Sequence, residues 1–488
     1  MVVNSYSFLL FFTVVFIVYY LPVLRRTPRF QNAWLLLVSY VFYGFADWQM
    51  IPLLLGSTLV FWFVGRWLRR EMDQGHRAAA SRITTLGVVL GIGLLLWFKY
   101  LNFFAESLSL LLNSIGLSVS WTTLNIVLPI GVSFFTFKLI SYVIEIHREH
   151  IMPSSDFLEF AAYIAFFPTI LSGPIDRPDK FLPQMKTVHT LDYLLAADGC
   201  RQILWGMFTK MCIADNLAII TASAWESYES LPSTMLLAAV LIYPPQLYAD
   251  FDGYSNMAIG VGKLLGFKVN RNFDHPFLAR NMADYWRRWH ISLTGWITDY
   301  VFMPLNIAFR NLDNLGIMMA AMINLILIGL WHGANWTYAL FGLYHGLLFI
   351  PLIYSGTFGK KKKLKAGAHG LPFLTDVRKM LFTFLMVAVG HVIFRAEDVS
   401  QAFEFFMAIA TNGFSGPSII DKYGMLYIFF ALILLAVEWL QRKHEHALQL
   451  QDFRIFKTRL ARFALYLLII LLIITFTGKS QAFIYFQF

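Results

Sequence analysis

Apolar runs of about 20 residues, bounded by clusters of Lys and Arg, recur along most of this chain. About 20 apolar residues let a helix cross the hydrocarbon core of a bilayer. Hydrophobic residues make up 58% and charged residues only 14% of the sequence, whereas soluble domains are about 25% charged. The pattern therefore predicts an integral membrane protein that crosses the bilayer many times.

The apolar runs give the predicted spans. Residues 6–24 form the first span and not a cleaved signal peptide, because no basic region precedes them and no small-residue cleavage site follows. Residues 31–64 exceed one crossing and contain Asp47, which predicts a tight helical hairpin. The other predicted apolar segments are 83–99, 104–117, 122–146, 157–172, 193–223, 232–248, 316–331, 333–354, 377–394, 424–441 and 461–477, with 232–248 broken by Pro244 and Pro245. We expect an all-α polytopic fold of about 11–13 transmembrane or re-entrant helices.

Basic clusters predict which side of the membrane each loop occupies. Cytoplasmic loops carry an excess of Lys and Arg, so the lysine run 360–365 and the stretch 442–462 should face the cytoplasm. Both chain termini then face outward, and Arg280, Arg287, Arg288 and Arg310 lie near the cytoplasm. This rule explains the net charge of +10 better than nucleic-acid binding does.

Two segments depart from the pattern of simple spans. Residues 254–310 hold only short apolar pieces among many charges, which predicts re-entrant or interface-lying helices covered by protein or water. A second segment, residues 399–410, places its larger apolar residues on one helical face, as in a helix that lies flat on the outer surface. These residues are Val399, Phe403, Phe406, Met407 and Ala410.

His332 is the first candidate for chemistry. It ends an apolar run and precedes Gly333. Ionisable residues inside membrane segments point to function, and a neutral imidazole is a good general base near pH 7. The flanking glycines predict a cavity that a ligand approaches closely. The alternative is a buried structural histidine bonded to a neighbouring carbonyl.

His290 is the second candidate. As a continuous helix, residues 282–296 place an aromatic and apolar face opposite Asp284, Arg287 and Arg288, which is typical of a helix at the membrane boundary. That face comprises Met282, Tyr285, Trp286, Trp289, Leu293 and Trp296. The arginines could bind the phosphates of a charged ligand. The alternative is an anchoring helix with an incidental histidine.

Other candidate sites lose support. For His345 we favour a structural role over a functional one. Asp250, Asp252 and Gly253 resemble the start of a calcium loop, but the glutamate at the twelfth position is missing. Phosphate-binding glycine loops, a His-Glu-x-x-His zinc pair and a Gly-x-Ser-x-Gly elbow are also missing from the sequence, which argues against nucleotide, zinc and serine hydrolases.

Four stretches together resemble the membrane-bound O-acyltransferases, in the bacterial branch with the alginate O-acetyltransferase membrane subunit. The stretches are Phe166–Arg177 with Phe181–Gln184, Asp250–Gly260 with Leu264–Phe267, Asn272–Phe277 with Tyr285–Thr294, and Gly329–Trp336. The ending Phe483–Phe488 is also similar. The resemblance covers nearly the whole chain, and the order and spacing of the motifs make it specific.

The resemblance implies one O-acyltransferase domain over residues 1–488, built around a central tunnel. Its parts would be N-terminal spans at 1–172, a catalytic core at 193–354 and C-terminal spans at 377–488. It implies that His332 is essential and that His290 is its partner. Acetyl-CoA would be the donor, bound by Arg287 and Arg288 with Trp286 and Trp289, and we expect no metal.

The implied function is O-acetylation of an extracytoplasmic polysaccharide from the bacterial inner membrane. A separate outer-face protein would pass the acetyl group to the sugar, since the sequence shows no obvious soluble acceptor-binding domain. Two departures leave the polysaccharide open: Pro304–Arg310 replaces a glycine-rich segment of many relatives, and Asp252 and Asn256 replace Ser and Asp. The alternatives are a teichoic-acid D-alanylation subunit with a carrier-protein donor, and a transporter without chemistry.

Overall fold

A computed structural model describes residues 3–117, 124, 126–360, 370–478, 481 and 483. Over this part of the chain the fold is all-α, with no β-strand, which confirms the predicted class. Eight helical stretches in it are long and apolar enough to cross a membrane. They are Pro28–Asp73, Arg77–Ser114, Tyr193–Glu226, Arg310–His332, Trp336–Tyr354, Leu374–Arg395, Lys422–Gln441 and Arg459–Phe476.

The described residues form the following α-helices. They are α1 (Tyr6–Tyr19), α2 (Pro28–Asp47), α3 (Ile51–Asp73), α4 (Arg77–Leu95), α5 (Leu101–Ser114), α6 (Val132–His147), α7 (Phe157–Ala165), α8 (Pro178–Met185), α9 (Tyr193–Phe208), α10 (Asp215–Glu226), α11 (Ser233–Leu264), α12 (Met282–Trp286), α13 (Ile291–Ile297), α14 (Met303–Ala308), α15 (Asp313–His332), α16 (Trp336–Leu347), α17 (Ile350–Tyr354), α18 (Leu374–Arg395), α19 (Val399–Thr411), α20 (Lys422–Gln441) and α21 (Arg459–Phe476). Short π-helical segments join α4 to α5, α9 to α10 and α13 to α14.

The chain folds into two compact units. The first contains residues 1–200 and 258–270, and the second contains residues 201–257 and 271–488. Close approach of helices in the first unit depends on glycine. A Cβ atom at Gly91 of α4 would lie 2.4 Å from Ile140 Cγ1 of α6, and one at Gly65 of α3 would lie 2.6 Å from the ring of Tyr142.

Several predicted spans match the helices and others do not. The predicted spans 316–331, 333–354, 377–394, 424–441 and 461–477 match α15, α16 with α17, α18, α20 and α21, and α2 ends at Asp47 as the sequence predicted. The predicted first span is wrong in length, since α1 ends at Tyr19 after 14 residues. The predicted span 157–172 is also wrong, because α7 ends at Ala165 and the chain continues as buried non-helical backbone.

The predicted break at Pro244 and Pro245 is wrong. Both prolines lie inside α11, which runs for 32 residues. A proline removes one backbone hydrogen bond and usually kinks or ends a helix. Here almost every residue from Tyr243 to Val261 is buried, and this packing holds the helix together. Asp250 and Asp252 therefore lie in a helix and not in a calcium loop.

The predicted irregular segment 254–310 is wrong over residues 254–264, which belong to α11. Residues 271–312 confirm the rest of it: they form helical segments of three to seven residues, including α12, α13 and α14. The prediction of one continuous helix over 282–296 is wrong, because α12 ends at Trp286 and α13 begins at Ile291. The predicted aromatic face is nevertheless buried: Tyr285, Trp289 and Trp296 are at most 5% exposed.

Candidate active site

The two candidate histidines meet in the second unit. Their ring centroids lie 6.2 Å apart, although 42 residues separate His290 from His332 in the sequence. His290 is fully buried and His332 is 4% exposed. Burial of two ionisable side chains beside each other is costly unless both remain neutral. The pair is therefore a candidate site for acid–base chemistry.

His332 is positioned by the close packing of α15 on α16. A Cβ atom at Gly329 would lie 2.0 Å from the Tyr338 carbonyl oxygen, and one at Gly342 would lie 2.4 Å from the Leu325 carbonyl oxygen. Only glycine permits this approach. At Gly333 the ring of Tyr338 comes within 2.2 Å of an added Cβ. The glycines beside His332 thus serve helix packing, and this packing accounts for them without a ligand.

His290 is positioned by a turn. Its φ of 45° lies in the left-handed region, where residues with a side chain are strained. Asn272 holds the turn: its carbonyl accepts from Ile291 N at 2.8 Å, and its side-chain Oδ1 accepts from Ser292 Oγ at 2.6 Å. Its Nδ2 donates to Ser255 Oγ on α11 at 3.0 Å. This buried amide links three segments and fixes the histidine between α12 and α13.

Aromatic rings enclose the histidine pair. Phe251 meets the His290 ring edge to face at 4.6 Å, Trp331 lies 5.3 Å from the same ring, and Phe394 lies 5.1 Å from the His332 ring. Burial, with a smaller contribution from nearby His332, holds the pKa of His290 well below its usual value of 6.5. His290 is therefore neutral at physiological pH and can donate or accept a hydrogen bond without carrying charge.

A cavity of about 370 Å³ lies in the same unit, and neither His290 nor His332 is among its lining residues. Its lining is mostly apolar and includes Ile291, next to His290, and Ile328, one helical turn before His332. The lining also includes Arg287, Asp299, Phe358 and Gly359. The cavity thus contains a guanidinium group and is lined by residues close in the sequence to both histidines.

The four residues predicted to bind the donor divide into two pairs. Trp286 and Arg287 line the cavity, and the Arg287 side chain is one-third exposed. Arg288 does not line it: its Nε lies 3.1 Å from Asp284 Oδ1 and its Nη1 donates to the Asp274 carbonyl at 2.9 Å. Trp289 is 4% exposed and stacks on Tyr285.

His345 supports Trp286. The Trp286 indole N–H donates to His345 Nδ1 at 3.4 Å, and His345 is fully buried. Gly390 packs so closely that an added Cβ would lie 2.6 Å from His345 Nε2. This environment fits the structural role that the sequence favoured for His345.

Sequence reasoning missed two asparagines. Asn272 begins one of the recognised motifs, yet its hydrogen bonds depend on contacts that spacing does not show. Asn324 lines the cavity, and its Oδ1 is buried without a hydrogen-bond partner in the part of the chain that the structure describes. A polar residue inside the apolar run before His332 was the available signal.

Comparison with known proteins decides the family. Residues 112–369 match the family model of the membrane-bound O-acyltransferases. The chain belongs to the membrane-bound O-acyltransferase family. It is 35% identical to a probable alginate O-acetylase of Pseudomonas aeruginosa over 419 residues, covering 85% of this chain and 75% of that protein. It is 30% identical to a peptidoglycan O-acetyltransferase of Helicobacter pylori over 453 residues, covering 83% of this chain and 81% of that one.

A teichoic acid D-alanyltransferase of Streptococcus thermophilus is 32% identical over 319 residues, covering 61% of this chain and 75% of that protein. The resemblance read from the sequence is confirmed, and this membrane-bound O-acyltransferase is a multi-pass membrane enzyme. Among its relatives, those that cover most of the chain carry names of O-acetyl transfer. The general activity of this protein is therefore O-acetyl transfer in a membrane.

Proposed function

We propose that the protein takes an acetyl group from cytoplasmic acetyl-CoA and passes it through the bacterial inner membrane for O-acetylation of an extracytoplasmic polysaccharide. The proposal rests on the cavity that Arg287 lines together with Ile291, next to His290, and Ile328, one helical turn before His332. The Arg287 guanidinium group offers a positive charge for the phosphates of acetyl-CoA. The buried histidine pair would lie toward the thioester at the other end of the donor.

Basic residues at one end of the second unit support this orientation. Arg310 precedes α15, Arg442 follows α20 and Arg459 begins α21. Lys360 follows the cavity residue Gly359. Cytoplasmic loops collect such residues. We therefore assign this end and the Arg287 mouth to the cytoplasm, which puts the carboxyl terminus outside.

The chemistry follows from the histidine pair. An acceptor hydroxyl oxygen would attack the thioester carbonyl carbon while a nitrogen of His332 takes the hydroxyl proton. The carbon–sulfur bond then breaks, and the leaving thiolate receives that proton. His290, held by Asn272, would donate a hydrogen bond to the carbonyl oxygen as negative charge develops on it. A transient acetyl group on His332 is a second route to the same products.

The outer end supports a protein partner. Around the turn that follows His332, Asn335 donates to the Glu397 carbonyl at 2.6 Å, and the neighbouring segments carry exposed carboxylates. These are Glu226, Glu229, Glu397, Asp398 and Glu404. Such a surface repels anionic polysaccharides and attracts a basic protein. The apolar face that the sequence predicted on residues 399–410 is exposed on α19, with Phe403 65% exposed. This face offers apolar contacts beside the carboxylates.

The test replaces His332. A general base contributes about 10²–10⁴-fold to a rate, so His332→Ala should lower acetyl transfer from acetyl-CoA by a similar factor. His332→Asn is the second variant, because it retains a polar side chain in the buried site. Replacing His76, whose side chain is 60% exposed, with Ala provides the control. Full glycan acetylation in a folded His332 variant would refute the assignment.

The second candidate function is D-alanylation with a carrier-protein donor, favoured by the 32% identity to the teichoic acid D-alanyltransferase. It uses the same cavity with a different donor. Turnover of an aminoacylated carrier protein, and none of acetyl-CoA, would select it. A transporter without chemistry would move its solute equally well with His332 replaced.

A further inference from the structure

A buried lysine of the second unit lies outside the histidine pair and the cavity. Lys210 is in the π-helical segment between α9 and α10, its Nζ lies 2.7 Å from Asp215 Oδ1, and it forms a second ion pair with Asp250 of α11. The three side chains are at most 5% exposed. A Cβ atom at Gly253, in the next turn of α11, would lie 3.0 Å from Lys210 N. Because ionisable side chains inside membrane helices are costly, this triad is a candidate for function.

Lys210 also holds the C-terminal segment, here residues 476–478, 481 and 483. Its Nζ donates to the Gln481 carbonyl at 3.3 Å, and the Asp215 carboxylate accepts a hydrogen bond from the Gln481 main chain. Asn216 Nδ2 donates to the Phe476 carbonyl, where α21 ends, at 2.9 Å. Side chains at the π-helical segment and the start of α10 thus bond the main chain at two points of the C-terminal segment.

The C-terminal segment reaches the wall of the histidine pair. Phe483 is 2% exposed and stacks on Tyr254, with ring centroids 4.6 Å apart. Its ring also lies 5.9 Å from that of Phe251, which meets His290 edge to face. Phe251 directly follows the α11 aspartate of the triad. Two routes therefore lead from Lys210 to the ring beside His290, one through α11 and one through the C-terminal segment.

We propose that Lys210 is a positioning residue for acyl transfer, which holds α11 and the C-terminal segment so that Phe251 is kept in place against His290. The inference rests on the proposed function of the histidine pair and adds the residue that fixes one wall of it. Among the contacts of the described residues, Lys210 meets neither histidine. It therefore acts through the residues that it binds.

The first measurement reports whether the C-terminal segment is held. Replacing Cys200 with Ser and Cys212 with Ala removes both natural thiols, and Gln481→Cys then gives the full-length chain a single one. The contacts of residue 481 with Lys210 and Asp215 use its main chain and remain. Labelling of the detergent-purified protein by N-ethylmaleimide should become about tenfold faster when Lys210→Met is added, as loss of one charged hydrogen bond predicts.

The second measurement reports whether this anchoring matters for the reaction. Lys210→Met should lower the kcat of acetyl transfer at least about tenfold, since a displacement of about 1 Å at a reacting group costs about 10²-fold. The KM for acetyl-CoA should stay nearly unchanged, because Lys210 does not line the cavity that contains Arg287. Lys210→Arg keeps the charge and its donors, so it should retain slow labelling and most of kcat.

Two further variants separate positioning from stability. Lys263 of α11 lies 2.7 Å from Asp198 of α9 in the first unit, so Lys263→Met removes another lysine–aspartate pair and should leave labelling and kcat unchanged. Lys210→Met combined with Asp215→Asn and Asp250→Asn removes all three charges and leaves no buried carboxylate without its cation. This neutral variant should still label fast and transfer slowly. Thermal unfolding verifies that each variant is folded.

The outcomes separate this inference from the proposed function. Slow labelling in both Lys210→Met and the neutral variant would overturn the anchoring, and fast labelling with unchanged kcat would overturn the positioning role. Either result leaves the acetyl-CoA proposal intact. Equal effects of Lys263→Met would also overturn the inference, because they would not depend on the triad. If the unchanged protein took no acetyl group from acetyl-CoA, the proposed donor would fall; labelling would still test the anchoring, and kcat would be measured with an aminoacylated carrier protein.

Discussion

The two histidines of the site are positioned in different ways. His332 ends α15, a regular apolar helix packed on α16 through glycines. His290 lies in a left-handed turn between two short helices, and the amide of Asn272 holds that turn. One histidine thus depends on packing between regular helices and the other on a small set of hydrogen bonds. Different substitutions should therefore displace the two histidine side chains.

Among the residues that position the histidines, Asn272 should have the largest effect on activity. Asn272→Ala removes the side-chain bonds to Ser292 and Ser255 and frees the turn that orients His290. A displacement of about 1 Å at a reacting group costs about 10²-fold in rate, so acetyl transfer should fall by about that factor. Asn314→Ala, at an exposed position of α15, is the control. Wild-type rates in Asn272→Ala would show that the amide does not position His290.

Substitutions at the contact between α15 and α16, which positions His332, should lower the stability of the protein. In Gly342→Ala the new Cβ would meet the backbone of α15 at Leu325 and Ile326, and overpacking costs about 1–3 kcal/mol. We expect a lower thermal midpoint of unfolding and reduced activity. Gly93→Ala is the matched control, because its Cβ meets nothing within 4 Å. An equal midpoint in both variants would contradict the packing account of His332.

Arg287 and Arg288 are neighbours in one motif but make different contacts. Arg287 lines the cavity, so Arg287→Ala should raise the KM for acetyl-CoA about tenfold, as loss of one charged hydrogen bond predicts. Arg288 instead donates to the Asp274 carbonyl, and its Nε lies 3.1 Å from Asp284 Oδ1, nearer than the 3.9 Å of Arg287 Nη2. Arg288→Ala should lower the thermal midpoint and leave KM nearly unchanged. The opposite assignment of the two effects would refute the division of this motif.

The smallest effect concerns pH. Burial holds the pKa of His290 below 6.5 in the folded state, whereas an unfolded histidine titrates near 6.5. Below that pH the unfolded chain takes up a proton that folded His290 does not, so stability falls as pH falls. The drop in thermal midpoint between pH 7 and 5.5 should be smaller in His290→Asn. An equal drop would show that His290 is not kept neutral by burial.

The sequence predicted the parts of the fold that depend on hydrophobic patterns. Spans such as α20 and α21 follow from runs of apolar residues bounded by charges, and His332 could be located because it ends such a run. α11 could not be predicted across Pro244 and Pro245, because burial by distant residues overrides the local preference of proline. The turn at His290 depends on Asn272, 18 residues earlier, and no local pattern contains that contact.

The proposed route takes the acetyl group across the membrane past His332 from the Arg287 mouth. It can be tested with oriented proteoliposomes that hold a soluble glycan acceptor and the outer-face partner in the lumen and [¹⁴C]acetyl-CoA outside. With the Arg287 mouth outward, we expect labelled glycan in the lumen, and at least about 10²-fold less in the His332→Ala protein. Equal labelling in the variant, or labelling only when acetyl-CoA shares the compartment of the glycan, would contradict the account.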